Sequence, residues 1–265
     1  MLVHIVTPSN RGLYQRQLEQ MHRQRRKVFV EHKGWKALDN GSPLEIDQYD
    51  HEDATYLLLL GDIGEVLASC RVTPTWKPHL FQTLTDFIER PELATGPGVW
   101  EISRWIGGPG KDKAIDMQCR ALMFAALAEF SVSHQIDAYV GCMELSQINL
   151  MAEMGIIVDF LGEPRTYDEG TAVGLRVGAG AEKLAMVRRL FRIEHPVTVM
   201  PPAWSVDRNI SPKVFSIIER AFETEDADEL EQFLDAINAV STRRWAASGA
   251  MPSMASLLSQ PKGEA

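Results

Sequence analysis

Charged side chains recur in this chain where their neighbours are apolar. Trp100-Glu-Ile-Ser-Arg104 reads as a strand carrying two ionisable residues. Strand alternation puts Glu101 and Ser103 on one face, and Ile102 and Arg104 on the other. Arg71 stands in the middle of Ala68-Ser-Cys-Arg-Val72, and Asp47 and Asp50 form a D-x-x-D pair upstream. Arg25 falls on a helical apolar stripe, four residues after Met21 and four before Phe29. Charges in such settings need partners, and arginine with carboxylate can form two parallel hydrogen bonds. Spacing alone leaves two readings open, a structural salt-bridge network or a site that handles a polar substrate. Arg25 has a third, a guanidinium that snorkels to solvent. A metal site at Asp47 and Asp50 lacks an evident third ligand. No Cys/His spacing resembles a zinc site, so no metal is expected. Ser103 and His134 do not make a nucleophile set, and there is no G-x-S-x-G elbow.

The elements that must hold these residues alternate. Leu2–Val6 reads as a strand and 12–29 as a helix with the stripe Tyr14, Leu18, Met21, Val28, Phe29. Residues 33–53 form a long loop broken by Gly34, Asn40-Gly41 and Pro43. A hairpin follows, 54–60 and 66–73, then a short helix at 85–92 and a strand at 98–106. Lys113–Val132 is the clearest helix, with an apolar face of Ile115, Leu122, Met123, Ala126 and Phe130. Further strands are expected at 138–143, 156–161 and 171–177, and helices at 146–154 and 182–193. This order implies an α/β fold with a mixed sheet. Pro196, Pro201 and Pro202 mark a linker over 196–210. Residues 211–265 read as a helical C-terminal extension, two amphipathic helices and a loose tail, outside a main domain at 1–195.

Composition narrows the class. The 265 residues are 45% hydrophobic and 24% charged, with a net charge of −9. That balance argues against a nucleic-acid binder. The charge is uneven, since residues 1–37 hold eight Lys/Arg against two Asp/Glu. This segment is either a solvated helix face or a local site for an anion. Cys70, Cys119 and Cys142 form no C-x-x-C pair and read as reduced thiols. No signal peptide and no membrane span are apparent, so a cytoplasmic protein is expected.

The ordered motifs Arg25-x-x-Val-Phe29, Gly34-Trp35, Asp47-x-x-Asp50, Cys70-Arg-x-x-Pro-Thr75 and Val99-Trp-Glu-Ile-Ser-Arg104 resemble the acyl-homoserine-lactone synthases, the LuxI-type autoinducer synthases. The motifs span about 21–104, with weaker likeness to about 195. The resemblance implies a GNAT-like, largely antiparallel central sheet flanked by helices. It implies S-adenosylmethionine as acyl acceptor, an acyl thioester as donor and no separate cofactor. By position, Arg25, Phe29, Trp35, Asp47, Asp50, Arg71, Glu101, Ser103 and Arg104 match the family's functional residues. Glu101 is then the expected base. Arg25 and Arg104 pair the acceptor carboxylate or brace the aspartates, and Phe29 and Trp35 face the sulfonium or the adenine. The family's phenylalanine after the proline-rich turn aligns with Leu84, leaving Phe81 or Phe87 to take its place. Arg104 with Gly107, Gly108 and Gly110 also resembles, loosely, the acyl-CoA loop of GNAT enzymes, although a plain strand-to-helix turn needs glycines too.

Acyl choice maps to the later strand, where Gly141, between Val140 and Cys142, takes the place of a threonine common among members that favour 3-oxo chains. An unsubstituted or otherwise atypical acyl chain is expected. The donor is acyl carrier protein or acyl-CoA, with Arg188, Arg189 and Arg192 or the basic N-terminal segment as docking cations for an acidic carrier. Residues 211–265 offer surfaces for pairing two subunits. Two rivals remain, a GNAT-type acyltransferase on another amine and a catalytically silent regulatory binding protein.

Overall fold

The structure, a computed structural model, describes residues 1–110 and 112–200. In chain order the strands are β1 (Leu2–Val6), β2 (Thr55–Leu60), β3 (Val66–Pro74), β4 (Val99–Ile106), β5 (Ala138–Glu144), β6 (Asp159–Phe160), β7 (Arg165–Tyr167), β8 (Gly170–Gly178) and β9 (Thr198–Val199). The helices are α1 (Gln15–Arg25), α2 (Lys113–Ser133), α3 (Ile148–Glu153) and α4 (Ala181–Phe191). Among the described residues these strands form one sheet in the order β6-β8-β5-β4-β3-β2-β1-β9, with β7 also on β8. All neighbours are antiparallel except β4–β5 and β1–β9. The mixed, largely antiparallel sheet expected from the sequence is thus observed.

Alternation sorts the strand residues into two layers. Leu57, Leu59, Cys70 and Val72 pack with Cys119, Met123, Ala126 and Phe130 of α2, and Val187 of α4 joins them. The opposite face sends Tyr56 and Leu58 against Tyr14 and Met21. Asp112 caps α2, accepting from the amides of Ala114 and Ile115 at 2.7 and 3.1 Å. Gly110 donates its amide to Asp116. Of the loop glycines that resemble an acyl-CoA loop, Gly110 thus spends its amide on the protein's own carboxylate.

The expected helix over 12–29 is α1, continued through 26–32 by a wider π-helical stretch. Gly34 then takes a positive φ of 73°, which a glycine adopts at little cost, and the chain reverses over Phe29. Lys33 anchors this turn to the end of β5 through an ion pair with Glu144 at 2.6 Å.

Three expectations change. The helix expected at 85–92 is a series of short 3₁₀ turns at 80–83, 85–87 and 91–93. The strand expected at 156–161 shrinks to β6. Residues 198–199, expected within a linker, form β9 beside β1. Val197 is buried, and its carbonyl accepts from the Val3 amide at 2.8 Å. Glu129 of α2 accepts from the amides of Val197 and Thr198. Pro196 precedes a short edge strand there. The rest of the expected linker and the extension at 211–265 lie outside the described residues.

Candidate active site

One face of β3 and β4 carries ionic residues where a core would be apolar. Arg71 lies opposite Ser103 and Thr73 opposite Glu101 in the antiparallel pairing. The pairing then slips, so that Ser69 faces Ile106, and two residues of β3 span three of β4. The extra residue is absorbed at Arg104, whose φ is +55°. That is a β-bulge, and it redirects a side chain. Arg104 was expected on the face of Ile102; the bulge turns it to the face of Ser103, toward Arg25 and the 45–50 loop. Period-two alternation carries no mark of such an insertion.

Three arginines and three carboxylates meet there. Arg25, fully buried, donates through Nη1 and Nη2 to the two oxygens of Asp50 at 2.8 and 2.9 Å, and through Nε to Glu45. Arg71 holds Asp47 with both terminal nitrogens and donates from Nε to the Ser103 hydroxyl at 3.0 Å. Arg104 grips Glu45 through Nε and Nη2 and reaches Asp47 with Nη2 at 2.7 Å. The Tyr56 hydroxyl donates to Asp50 at 2.9 Å. Asp47 accepts from the Tyr49 amide and Asp50 from the Asp47 amide, so the loop is folded around its own carboxylates. Three positive and three negative groups balance, which is how such burial is tolerated. Burial alone would raise the Asp50 pKa, but hydrogen bonds and charge from Arg25, with the Arg71 charge, hold it well below the usual carboxylate range.

The set is the one expected from sequence, with Glu45 added. Glu45 is almost fully buried and bridges Arg25 and Arg104. The alternation Glu45-x-Asp47 was its only signal, in a loop without helical or strand period. Asp47 and Asp50 are taken up by arginines, and no metal-binding cluster occurs among the described residues. Other cations of the basic N-terminal segment are also paired: Arg23 with Glu19, Arg26 with Asp39 and Lys33 with Glu144.

Phe29 and Trp35 stack with ring centroids 5.2 Å apart and planes 15° from parallel. The Arg104 guanidinium sits 5.7 Å from the Phe29 centroid. The pair thus walls the ion cluster, with a cation already on Phe29.

Glu101 is separate from the cluster and also buried. It accepts from the amides of Phe81 at 2.6 Å and Leu80 at 3.2 Å, both on the turn after β3. Phe81 is therefore the residue of that segment whose backbone holds Glu101, and Leu84 packs in the same apolar cluster as its ring. His79, buried just before it, donates from Nδ1 to the Lys77 carbonyl at 2.8 Å. Burial raises the Glu101 pKa above the ordinary value, opposed by the charges of Arg71 and His79 and by the two amides.

Beside Glu101 the sheet opens. β4 and β5 pair only from Val99↔Ala138 to Glu101↔Val140, although both strands run on. Phe81, Ala94, Val99, Val140 and Leu161, with Leu84, Ile88 and Leu93, make an apolar cluster on the Glu101 side. Gly141 stands at the parting, where an added Cβ would lie 2.7 Å from the Ile102 carbonyl oxygen. Its role is thus close approach of two backbones; a threonine there would first have to push β4 away. Cys142, the next residue, is exposed. Of the cations expected to dock a carrier, Arg188 is paired with Glu129 at 3.0 Å.

Residues 9–187 match the family model described as Autoinducer synthase. The chain is 32% identical over 178 residues to isovaleryl-homoserine lactone synthase of Bradyrhizobium diazoefficiens, covering 66% of this chain and 79% of that one. It is 28% identical to an acyl-homoserine-lactone synthase of Pseudomonas aeruginosa, over 62% of this chain and 84% of that one. Among solved structures, a CoA-dependent acyl-homoserine lactone synthase, BjaI, with SAM and isopentyl-CoA superposes with a TM-score of 0.66 at 27% identity. That match covers 76% of this chain and 93% of the other. A family match over most of the chain, carried on the same sheet, shows that this protein belongs to the autoinducer synthases.

Proposed function

We propose that this chain joins an acyl group from an acyl-CoA thioester to the amine of S-adenosylmethionine, with Glu101 as base, and then closes the homoserine lactone. The protein is an acyl-homoserine-lactone synthase, hence an acyltransferase. The observation that carries the residue-level reading is Glu101, a buried carboxylate on two backbone amides, at the place where β4 and β5 part.

The acceptor arrives as an ammonium and must lose a proton before nitrogen can attack. Glu101 takes that proton, directly or through water. Its raised pKa brings it closer to the pH at which it works. The C–N bond forms, the thioester C–S bond breaks, and the thiolate leaves. Of the two protons nitrogen gives up, one departs on the thiol and one goes to solvent. In the second step the acceptor carboxylate attacks the carbon next to the sulfonium. A C–O bond forms, a C–S bond breaks, and the sulfur keeps the electron pair as methylthioadenosine. Proximity supplies much of this ring closure.

The arginines divide their work. Each nitrogen of Arg25 is engaged by Glu45 or Asp50, so Arg25 is a positioning residue. Arg104 bonds through Nε and Nη2 alone. Its Nη1 is left to receive the acceptor carboxylate. Asp47, the most exposed carboxylate of the cluster, faces the ammonium. Coenzyme A as carrier is supported by the BjaI likeness. The relative that makes isovaleryl-homoserine lactone supports a short branched acyl group. Among the described residues no helix is long and apolar enough to cross a membrane.

The test is a mass-spectrometric assay of the purified protein with S-adenosylmethionine and a panel of acyl-CoA and acyl-carrier-protein donors, isovaleryl-CoA included. Methylthioadenosine and an N-acyl lactone in equal yield, with a CoA donor preferred, is the expected result. Preference for carrier-bound donors overturns the carrier assignment, and no lactone with any donor overturns the residue-level reading.

A further inference from the structure

Thr73 is fully buried, and its hydroxyl has no hydrogen-bond partner. Most buried hydroxyls are paired, because an unpaired one forfeits its hydration for nothing. Its location gives the anomaly a meaning. Thr73 lies directly opposite Glu101 in the antiparallel pairing of β3 with β4. Directly opposed residues carry their Cβ atoms about 4.5–5.5 Å apart on the same face of the sheet. The hydroxyl and the carboxylate are therefore neighbours on one face of the strand pair. Thr73 stands between Arg71, which is engaged by Asp47 and Ser103, and Thr75, whose hydroxyl donates to the Val99 carbonyl. Ser69, further along the same face, is also buried without a partner, but it lies opposite Ile106; Thr73 is the unpaired hydroxyl of this face that lies opposite the base.

We propose that Thr73 is a positioning residue for deprotonation, its hydroxyl and the Glu101 carboxylate together fixing the water that carries the proton from the acceptor ammonium to Glu101. The inference rests on the reading of Glu101 as the base. A water held this way has polar partners on three sides, the hydroxyl, the carboxylate and the ammonium, which meets the usual requirement for an ordered buried water. Each carboxylate oxygen of Glu101 already accepts one amide and keeps a second lone pair. The water donates one hydrogen to that lone pair and accepts from the Thr73 hydroxyl. Its remaining lone pair points to the ammonium. The proton passes from nitrogen to the water oxygen while the water's own proton moves to Glu101, so the water is regenerated. The charged groups around the carboxylate are Arg71 on β3, with its partners Asp47 and Asp50, and His79 on the covering turn.

Thr73→Val keeps the branched shape and deletes the hydroxyl, and Thr73→Ser keeps the hydroxyl. The full-length enzyme is assayed with S-adenosylmethionine and isovaleryl-CoA, or with the panel thioester that gives the most lactone. Because the hydroxyl has no protein partner, Thr73→Val leaves the melting temperature unchanged or higher, which separates this test from a folding defect. The expected result for Thr73→Val is a fall of about tenfold in kcat/KM. Its acid limb moves to higher pH, because the carboxylate loses a water that stabilised its charge. Thr73→Ser restores both. A Thr73→Val enzyme within twofold of wild type with an unmoved acid limb overturns the proposal, as does a Thr73→Ser enzyme as impaired as Thr73→Val. Glu101→Gln separates the two readings. If it is inactive while Thr73→Val is unaffected, only the role of Thr73 falls; if it retains full turnover, the base assignment falls and takes this proposal with it.

Discussion

Glu101 and Glu45 are both buried carboxylates, and their settings assign them opposite tasks. Glu45 is gripped by two guanidinium groups and ties Arg25 to Arg104. Removing one partner of such a buried set costs about 3–5 kcal/mol. Glu45→Gln should lower stability by that order, read as a shift in denaturant midpoint, and depress turnover by misplacing Arg104. Glu101 is held by amides and raised in pKa by burial. Glu101→Gln should fold with a near-normal midpoint and lose about 10²- to 10⁴-fold in turnover. The sign of the pH effect follows from the same shift. In the proposed role the base works ionised, and the Glu101 pKa is raised, so kcat/KM should climb with pH through an apparent pKa above the ordinary glutamate value of about 4.3. An acid limb at or below that value, measured over a pH series, would contradict the assignment. Arg25, Arg71, Glu101 and Arg104 were legible because each breaks an apolar pattern. Glu45 was not, because a loop has no pattern to break.

Elements decide where those residues point. The helical period placed Arg25 on the face of Tyr14 and Met21, and it is found there. The strand period placed Arg104 wrongly, because one inserted residue at φ +55° reverses the faces beyond it. A bulge is a property of two paired strands, and the sequence of one strand does not contain it. Gly141 carries a similar lesson. Read along the chain, it is a missing side chain in an acyl pocket. Read across the sheet, it is the point at which β5 touches the backbone of β4. Forcing even a methyl group into such a contact costs about 1–3 kcal/mol. Gly141→Ala should therefore lower the melting temperature by several degrees in a thermal scan. Its effect on chain length should be no cleaner than its effect on every donor.

For the whole molecule, the sheet with all the site residues lies within residues 1–200. We propose residues 211–265 as a separate extension, and a chain ending at Met200 should stay folded and keep turnover. A chain ending at His195 should not match it. It would lose β9, the buried Val197 and the amides that satisfy Glu129 on α2. Comparing the melting temperatures of the two truncations checks this, and equal values would show that β9 adds nothing. Pro196 did indicate a change of character, but two residues of edge pairing are too short to register as a strand beforehand.

The short seam between β4 and β5 has one more consequence. Within the sheet, three residue pairs join the strands β1–β4, which hold Glu101 and much of the ionic cluster, to β5 and β8; beside this seam the two sides meet through the apolar cluster of Phe81, Val99, Val140 and Leu161. If the acyl chain lies beside this seam, as the proposed function has it, substitutions on β5 and β8 would reshape the space for the tail of the product while leaving the arginine–carboxylate set, and with it the acceptor end, untouched.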